Sequence, residues 1–302
     1  MAALLAAIGP LPVQAETRSC PAALAGPATQ FTAEISDADG RRVPVSVFHP
    51  AAPGRYPLVA FSHGAFASPD RYAAMLAPLA GAGLIVIAPM HLDSEDFRHA
   101  APPPHAATWA SRNTDMALAF AAQAGIDERL GAAGISADRS RLVAMGHSYG
   151  GLIAQLQGGA IAVEPDGTSM DRRNSAVAAV VAWSPPGPLP GLMTAEGWRT
   201  MTAPALTITG TADVLPGFID DWQAHRVSFD MAPPGDRMLW VGEGVDHYFG
   251  GVFGRIKNTD PAARGWFDRA LITTLAFIER RTGHASPCDP GAVLAGEQRV
   301  ED

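Results

Sequence analysis

The chain has 302 residues, of which 47% are hydrophobic and 17% are charged, and its formal net charge is -8. A chain of this length and composition can bury one large core, and a single domain of α/β type is the natural expectation. The acidic balance and the lack of lysine or arginine blocks argue against a nucleic-acid partner and against an anionic membrane surface.

The first residues resemble the end of a secretory signal peptide. Residues 1–15 form a short apolar run that closes in Val13-Gln14-Ala15, a small-x-small pattern typical of a cleavage site. The positively charged start of such a signal is missing, and a frayed N-terminus is the alternative. A signal remnant over 1–15, followed by an N-terminal segment over 16–29, predicts a secreted or periplasmic protein. No other run is long enough to span a bilayer.

The two cysteines, Cys20 and Cys288, stand near opposite ends of the chain. In an exported protein such a pair is expected to form a disulfide that ties the termini together, because the termini of a domain often lie close in space. Two free thiols are the alternative. Neither cysteine stands in a catalytic motif.

The first elements predict one edge of a sheet and its first buried strands. Residues 31–50 alternate around a turn at 37–40 and predict an antiparallel edge hairpin. Buried strands are predicted over 56–62 and 84–89, with a helix over 69–82 between them.

A long polar stretch, 91–111, follows the second buried strand and contains Pro102-Pro103-Pro104. We expect a long loop here, since the stretch is too proline-rich for a helix. At the carboxyl end of a parallel strand, such a loop borders the ligand site. Its histidines and acids match no fixed metal-ligand spacing, so we expect no metal.

The rest of the chain continues the alternation of helices and strands. The predicted elements are a helix over 114–124, an irregular polar segment over 125–139, buried strands over 176–184, 204–209 and 237–241, and an amphipathic helix over 261–281. This order predicts a mainly parallel sheet with an antiparallel hairpin at one edge. The short connection after 184 leaves little room for a large lid. We expect one domain over 30–283 and a C-terminal tail over 284–302.

The segment 141–151 predicts a strand, a sharp turn and a helix. The strand ends in Gly146-His147-Ser148-Tyr149-Gly150, and this Gly-x-Ser-x-Gly pattern is typical of a nucleophile elbow, where a strained serine is presented above the sheet. A glycine-rich turn after a buried strand is the alternative. His147 is expected to pack under the serine.

Two further residue types complete this chemistry. A serine hydroxyl needs a histidine to take its proton and a carboxylate to orient that histidine. Ser148, Asp213 and His247 follow in the order serine, acid, histidine, each just past a predicted strand. Alternatives stay open, and they are Asp220, Asp221 and Asp246 for the acid and His225 and His63 for the base.

These motifs resemble those of serine α/β hydrolases, near the dienelactone-hydrolase-like proteins, the platelet-activating-factor acetylhydrolase-like esterases and the polyester hydrolases. The resemblance rests on residues 61–64, 146–151, 209–213 and 246–247 and covers roughly residues 30–282. It implies an α/β-hydrolase fold, with a mainly parallel twisted sheet, helices on both faces and no large lid. Dienelactone hydrolases proper use cysteine where this chain has Ser148, and plant chlorophyllases carry arginine where Tyr149 stands.

The resemblance also implies an oxyanion hole. Its donors would be the backbone N–H groups of Tyr149 and of Ala65, which follows the strand over 56–62, with Phe66 next in line. A glycine turn before a helix cap is the alternative for that loop. The aromatic residues Phe66, Trp183 and Phe249 are candidates for the substrate pocket, although each could equally belong to the core.

The activity expected from these residues is cleavage of a carboxylic ester through an acyl-enzyme on Ser148, without a metal or organic cofactor. The partner would be a small-molecule or polymeric ester. The same mechanism on an amide, a thioester or a polymer ester is one alternative. A non-catalytic binding protein on a hydrolase scaffold is another. The sequence does not predict the oligomeric state.

Overall fold

The structure is a computed structural model that describes residues 19–97, 105–163, 167–253, 261–284 and 287–302. The predicted signal remnant at 1–15 lies outside the described residues. The strands are β1 Ala28–Ser36, β2 Arg42–Pro50, β3 Gly54–Ser62, β4 Ile85–Pro89, β5 Ile135–His147, β6 Ile161–Val163, β7 Ser169–Asp171, β8 Val177–Trp183, β9 Ala205–Ala212, β10 Arg237–Asp246 and β11 Glu297–Glu301. The helices are α1 Cys20–Leu24, α2 Ala73–Gly81, α3 His105–Phe120, α4 Ala124–Ala132, α5 Tyr149–Gln157, α6 Val227–Met231 and α7 Pro261–Thr282.

Nine of these strands form one sheet, in the order β1-β2-β4-β3-β5-β8-β9-β10-β11. The strands from β4 to β10 pair in parallel, whereas β1, β2 and β11 pair antiparallel with their neighbours. The mainly parallel sheet with an edge hairpin is therefore confirmed. Only β1 of that hairpin is an edge, since β2 also pairs with β4. The opposite edge is β11, which lies in the C-terminal segment.

The sheet is covered by helices on both faces because its central strands are apolar on both sides. In β3, Val59 and Phe61 face the core layer that contains α2 and α7, whereas Leu58 and Ala60 face the layer that contains α3 and α5. This is the α/β-hydrolase architecture. The connection from β8 to β9 holds one short 3₁₀ helix, Ala195–Thr200, and no large lid.

The prediction for the region between β4 and β5 was wrong in two places. Helix α3 begins at His105, inside the predicted loop over 91–111, since prolines are tolerated immediately before a first helical turn. The segment 125–139 was predicted to be irregular, yet it contains most of α4 and the start of β5.

Between β3 and β4, the predicted helix over 69–82 begins as a 3₁₀ turn, Pro69–Tyr72, before α2.

A disulfide joins Cys20, the first residue of α1, to Cys288, so the first and last described segments of the chain are covalently linked. The predicted bridge is therefore present. Both cysteines are buried, and a short parallel bridge joins Ser19 to Asp289 beside them. Among the helices of the described ranges, none is both long enough and apolar enough to cross a membrane.

Candidate active site

Ser148 occupies the turn between β5 and α5 in a conformation that side chains rarely adopt, with φ 54° and ψ -125°. Its N–H donates to the carbonyl of Trp183 at 2.8 Å. The flanking glycines are required by close backbone contact. A Cβ on Gly146 would lie 2.2 Å from the carbonyl oxygen of Gly150, and one on Gly150 would lie 1.9 Å from that of Ser62. Ser148 is half-buried, so its hydroxyl lies at the surface of the sheet edge.

Backbone strain is concentrated at this edge. Of the five described non-glycine residues with positive φ, four follow the carboxyl ends of β3, β5, β8 and β10, and they are Phe66, Ser148, Ser184 and Phe249. Such conformations persist only where the surrounding packing enforces them, and they cluster at functional sites. The carboxyl edge of the sheet is therefore the candidate site.

Asp213 and His247 come together at the same edge, Asp213 just after β9 and His247 just after β10. Asp213 Oδ1 accepts a hydrogen bond from His247 Nδ1 at 2.7 Å, and Oδ2 accepts one from the hydroxyl of Thr209 at 2.8 Å. Burial would raise the pKa of the Asp213 carboxyl, but hydrogen bonds from His225 and His247 hold it well below its usual range. Asp213 is therefore a buried carboxylate that orients His247.

The alternative acids accept hydrogen bonds from backbone N–H groups close to them in the sequence. Asp220 and Asp221 are exposed and accept from the backbone N–H groups of Gly217 and Gln223. Asp246 is also exposed, and it accepts from two N–H groups of the turn that follows His247.

Among the described residues no hydrogen bond joins the Ser148 hydroxyl to a histidine. This contact is commonly long or poorly aligned in unliganded serine hydrolases.

His147 lies beneath the site and links the loops on either side of it. The N–H of Gly64 donates to the hydroxyl of Tyr72, which donates to His147 Nδ1 at 2.9 Å, and His147 Nε2 donates to the carbonyl of His247 at 2.8 Å. Burial lowers the pKa of His147 to about 3, so this ring is neutral. A neutral ring that donates from Nε2 leaves Nδ1 as the acceptor for the Tyr72 hydroxyl.

The loop after β3 contains an N–H group, that of Ala65, without a hydrogen bond in the described part of the chain. The Gly64 N–H is bonded to Tyr72, and the Phe66 N–H donates to Asp93 at 3.2 Å. Ala65 itself is exposed. Tyr149, the other predicted donor, is the first residue of α5.

That loop is held from below by Arg112 of α3, which the sequence did not single out. The guanidinium donates to the Ser62 hydroxyl and to the carbonyls of His63 and Gly64. It also forms a bidentate ion pair with Asp93. Burial would raise the pKa of Asp93, but Arg112 keeps it well below its usual range. The loop therefore rests on a fixed positive charge.

A second serine, histidine and aspartate adjoin Arg112, and we call Ser62, His91 and Asp115 the buried cluster. His91 Nε2 lies 2.8 Å from the Ser62 hydroxyl, and His91 Nδ1 lies 2.8 Å from Asp115 Oδ2. Asp115 also pairs with Arg41. All three members of the buried cluster are inaccessible to solvent.

The three aromatic candidates for the pocket differ in position. Phe66 is 61% exposed at the site, whereas Trp183 and Phe249 are buried in the core with their ring centroids 4.8 Å apart. Val214 and Tyr248, which directly follow Asp213 and His247 in the sequence, are also exposed, and so is Phe218 in the segment after β9.

Asp213, His225 and His247 are also the described residues whose ligand atoms lie close enough together to hold a metal ion. Both histidines, however, already approach Asp213 Oδ1, at 2.9 and 2.7 Å. These are hydrogen-bond distances, and a metal would have to displace both protons.

Comparisons with known proteins agree on the fold class. A family model described as chlorophyllase matches residues 26–181, more than half of the chain, including the loop after β3 and the turn at Ser148. No curated protein sequence matches. A solved structure from Klebsiella pneumoniae subsp. pneumoniae MGH 78578, assigned as a dienelactone hydrolase, is 20% identical, with a TM-score of 0.51 over 83% of this chain and 99% of that one.

Proposed function

Because the chain belongs to the chlorophyllase family and has the α/β-hydrolase fold, we propose that it is a serine esterase that cleaves carboxylic esters through an acyl-enzyme. Ser148 is the proposed nucleophile, His247 the general base and Asp213 the group that orients the base. The strained, half-buried position of Ser148 at the turn between β5 and α5 carries the proposal.

In the proposed reaction the Ser148 oxygen attacks the ester carbonyl while His247 Nε2 takes the hydroxyl proton. The tetrahedral intermediate collapses, the C–O bond breaks, and His247 returns the proton to the departing alcohol. Water then attacks the acyl-enzyme with the same histidine as base, which releases the acid and regenerates Ser148. These steps use protein groups and water alone.

Negative charge on the carbonyl oxygen would be met by two backbone donors. We assign them to Ala65, whose N–H is not used within the described chain, and to Tyr149 at the N-terminus of α5, where the helix dipole adds a partial positive charge. Loss of one such donor costs on the order of a hundredfold or more in rate.

Export is part of the proposal. A disulfide between Cys20 and Cys288 is of a kind that persists in oxidising compartments, and it agrees with a secreted or periplasmic location. The proposed substrate is a small-molecule or polymeric ester, with Phe66 at the entrance to the site.

The test is labelling with a fluorophosphonate probe, followed by peptide mapping, on the wild type and on Ser148→Ala. We expect a single adduct on Ser148, turnover of short p-nitrophenyl esters, and loss of both in the variant. Ser169→Ala, at an exposed serine of β7, is the matched control and should behave as wild type. Ester turnover that survives in Ser148→Ala would refute the assignment of the nucleophile.

A further inference from the structure

Asp213 has a second histidine partner. His225 lies on the 3₁₀ helix Trp222–Arg226, and its Nε2 is 2.9 Å from Asp213 Oδ1, the oxygen that also accepts from His247 Nδ1. The same Nε2 is 3.1 Å from the backbone carbonyl of Asp213. The side chains of Asp213 and His225 are fully buried, so water does not mediate these contacts.

The other ring nitrogen of His225 decides its protonation. Nδ1 lies 2.8 Å from the carbonyl oxygen of Pro185, in the connection after β8. A carbonyl can only accept, so Nδ1 must carry a proton, and the acceptors around Nε2 require a proton there as well. A ring with two N–H groups is an imidazolium.

The other buried histidines of this edge do not share this arrangement. His63 Nε2 accepts from the N–H of His91, and His147 Nδ1 accepts from Tyr72. The ring of His91 donates from Nδ1 to Asp115, and because burial lowers its pKa, its Nε2 accepts from the Ser62 hydroxyl. Each of these rings has one donor and one acceptor as partners, as a neutral imidazole requires.

We propose that His225 is a positioning residue that stays positively charged in the resting protein and shares the Asp213 carboxylate with His247. The ion pair compensates the buried carboxylate before the reaction begins. It also places a positive charge beside His247, with the two ring centroids 5.6 Å apart, and this charge opposes the one that His247 gains when it takes the serine proton. This second consequence rests on the proposed function, whereas the charge itself does not.

Few other charges could produce the same effect. Among the described residues, the titratable groups in contact with the two rings are Asp213, His147 and Tyr248, the last with its ring centroid 5.1 Å from that of His247. Burial keeps His147 neutral by lowering its pKa to about 3. On the 3₁₀ helix itself, Arg226 pairs with Asp230, and Asp221 accepts from the Gln223 N–H.

The pKa of His225 agrees with the contacts. Burial would lower it, but the hydrogen bond and the charge of Asp213 outweigh burial and raise it above its ordinary value. The same pair of effects contributes to the depressed pKa of Asp213. The two shifts are the two sides of one ion pair.

The direct test needs no mutation. In wild-type protein labelled with ¹⁵N in its histidines, we expect both ring nitrogens of His225 to resonate as N–H nitrogens at pH 7, where a free histidine is mostly neutral. His63, His91 and His147 should each show one bare nitrogen and serve as internal controls. A bare ring nitrogen on His225 at pH 7 would overturn the proposal.

Variants test the consequence for catalysis. His225→Gln keeps a neutral donor toward Asp213, and we expect the acidic limb of its kcat/KM profile to move to higher pH by about one unit. His225→Lys restores a cation and should return the limb toward the wild-type position. A lower kcat/KM with an unmoved limb in His225→Gln would show a merely structural role. If no ester is hydrolysed, the proposed function fails, while the nuclear magnetic resonance result still decides the charge.

Discussion

This protein contains two groups of serine, histidine and aspartate, and their serines lie at the carboxyl ends of two neighbouring strands, β3 and β5. Ser62 ends β3 and pairs in register with Gly146, two residues before Ser148. The Ser62 hydroxyl is buried and is bonded on both sides, to His91 and to Arg112. Ser148 is half-buried and strained, and among the described residues its hydroxyl has no hydrogen-bond partner.

The difference teaches which features distinguish a nucleophile from a structural serine. A bonded histidine and carboxylate are present in the buried cluster too, so these partners are not sufficient. Partial exposure, and a hydroxyl without a hydrogen-bond partner among the described residues, distinguish Ser148, the proposed nucleophile. The charges differ as well, because Asp115 is held by the permanent cation Arg41, whereas Asp213 is shared by two histidines. The contacts of the buried cluster suit a fixed support, whereas those at Asp213 and His247 suit the proton transfer of the proposed mechanism.

The largest expected difference between the two groups appears when the carboxylate of each is neutralised in turn. We expect Asp213→Asn to reduce kcat by about 10⁴-fold, because the amide carries no charge to stabilise a protonated His247 and can donate its N–H to His247 Nδ1, which favours the wrong tautomer. Asp115→Asn is the matched change in the buried cluster, and it should reduce stability but leave kcat within about tenfold. Steady-state hydrolysis of a short p-nitrophenyl ester measures both. Equal losses of kcat in two folded variants would contradict the comparison.

The next largest effect is expected at the support of the loop after β3. Arg112→Met leaves the Asp93 carboxylate, 6% exposed, without its cation, and we expect the free energy of unfolding to fall by about 3–5 kcal/mol. Arg264, paired with Asp268 on the exposed side of α7, provides the control. Arg264→Met should change stability by less than about 1 kcal/mol. Urea denaturation compares them, and similar losses in both would show that the loop does not depend on Arg112.

Acid should unfold the protein through its neutral histidines. Burial lowers the pKa of His63, His91 and His147, so the folded chain excludes protons that the unfolded chain binds below about pH 6.5. Their stabilisation is therefore present above pH 6.5 and is lost as pH falls toward the folded-state values. Each group contributes a slope of about 1.4 kcal/mol per pH unit. The contribution of His225 to stability depends on pH in the opposite direction, since its raised pKa makes that contribution largest at low pH.

The measurement is the free energy of unfolding between pH 7.5 and 5.5 at constant ionic strength. His91→Asn keeps a donor near Asp115 but cannot titrate. It should therefore reduce the slope of unfolding free energy against pH by the contribution of one group, about 1.4 kcal/mol per pH unit. A slope in this variant equal to that of the wild type would mean that His91 is already protonated in the fold. The buried cluster would then not be the neutral arrangement that its contacts indicate.

Much of the fold and of the candidate site could be predicted because both follow from strand order. Apolar runs such as 84–89 have a length and composition that suit a buried parallel strand, and parallel strands bring their carboxyl ends to one edge. Ser148, Asp213 and His247 each follow such a run, so their convergence could be expected before any loop was known.

The supporting residues could not be predicted in the same way. His225 reaches Asp213 because of the path of a 3₁₀ helix, and no local pattern encodes that path. Arg112 lies in the part of α3 between the predicted loop over 91–111 and the predicted helix over 114–124, and Asp115 lies within the predicted helix but in no recognisable motif. Strand β11 is short and rich in charge, so it lacks the alternation that marks a half-buried strand.

The smallest expected effect concerns the two serines themselves, and it tests directly whether Ser62 contributes to the reactivity of Ser148. Ser62→Ala removes the donor to His91 and one of several acceptors of Arg112, and it introduces no bulk. We expect a loss of about 1–2 kcal/mol in unfolding free energy, the usual cost of leaving a buried polar group without its partner. Fluorophosphonate labelling of Ser148 should stay within about threefold of wild type, since Arg112 still holds the carbonyls of His63 and Gly64. A folded Ser62→Ala protein that no longer reacts with the probe would make the buried cluster part of the chemistry rather than of its support.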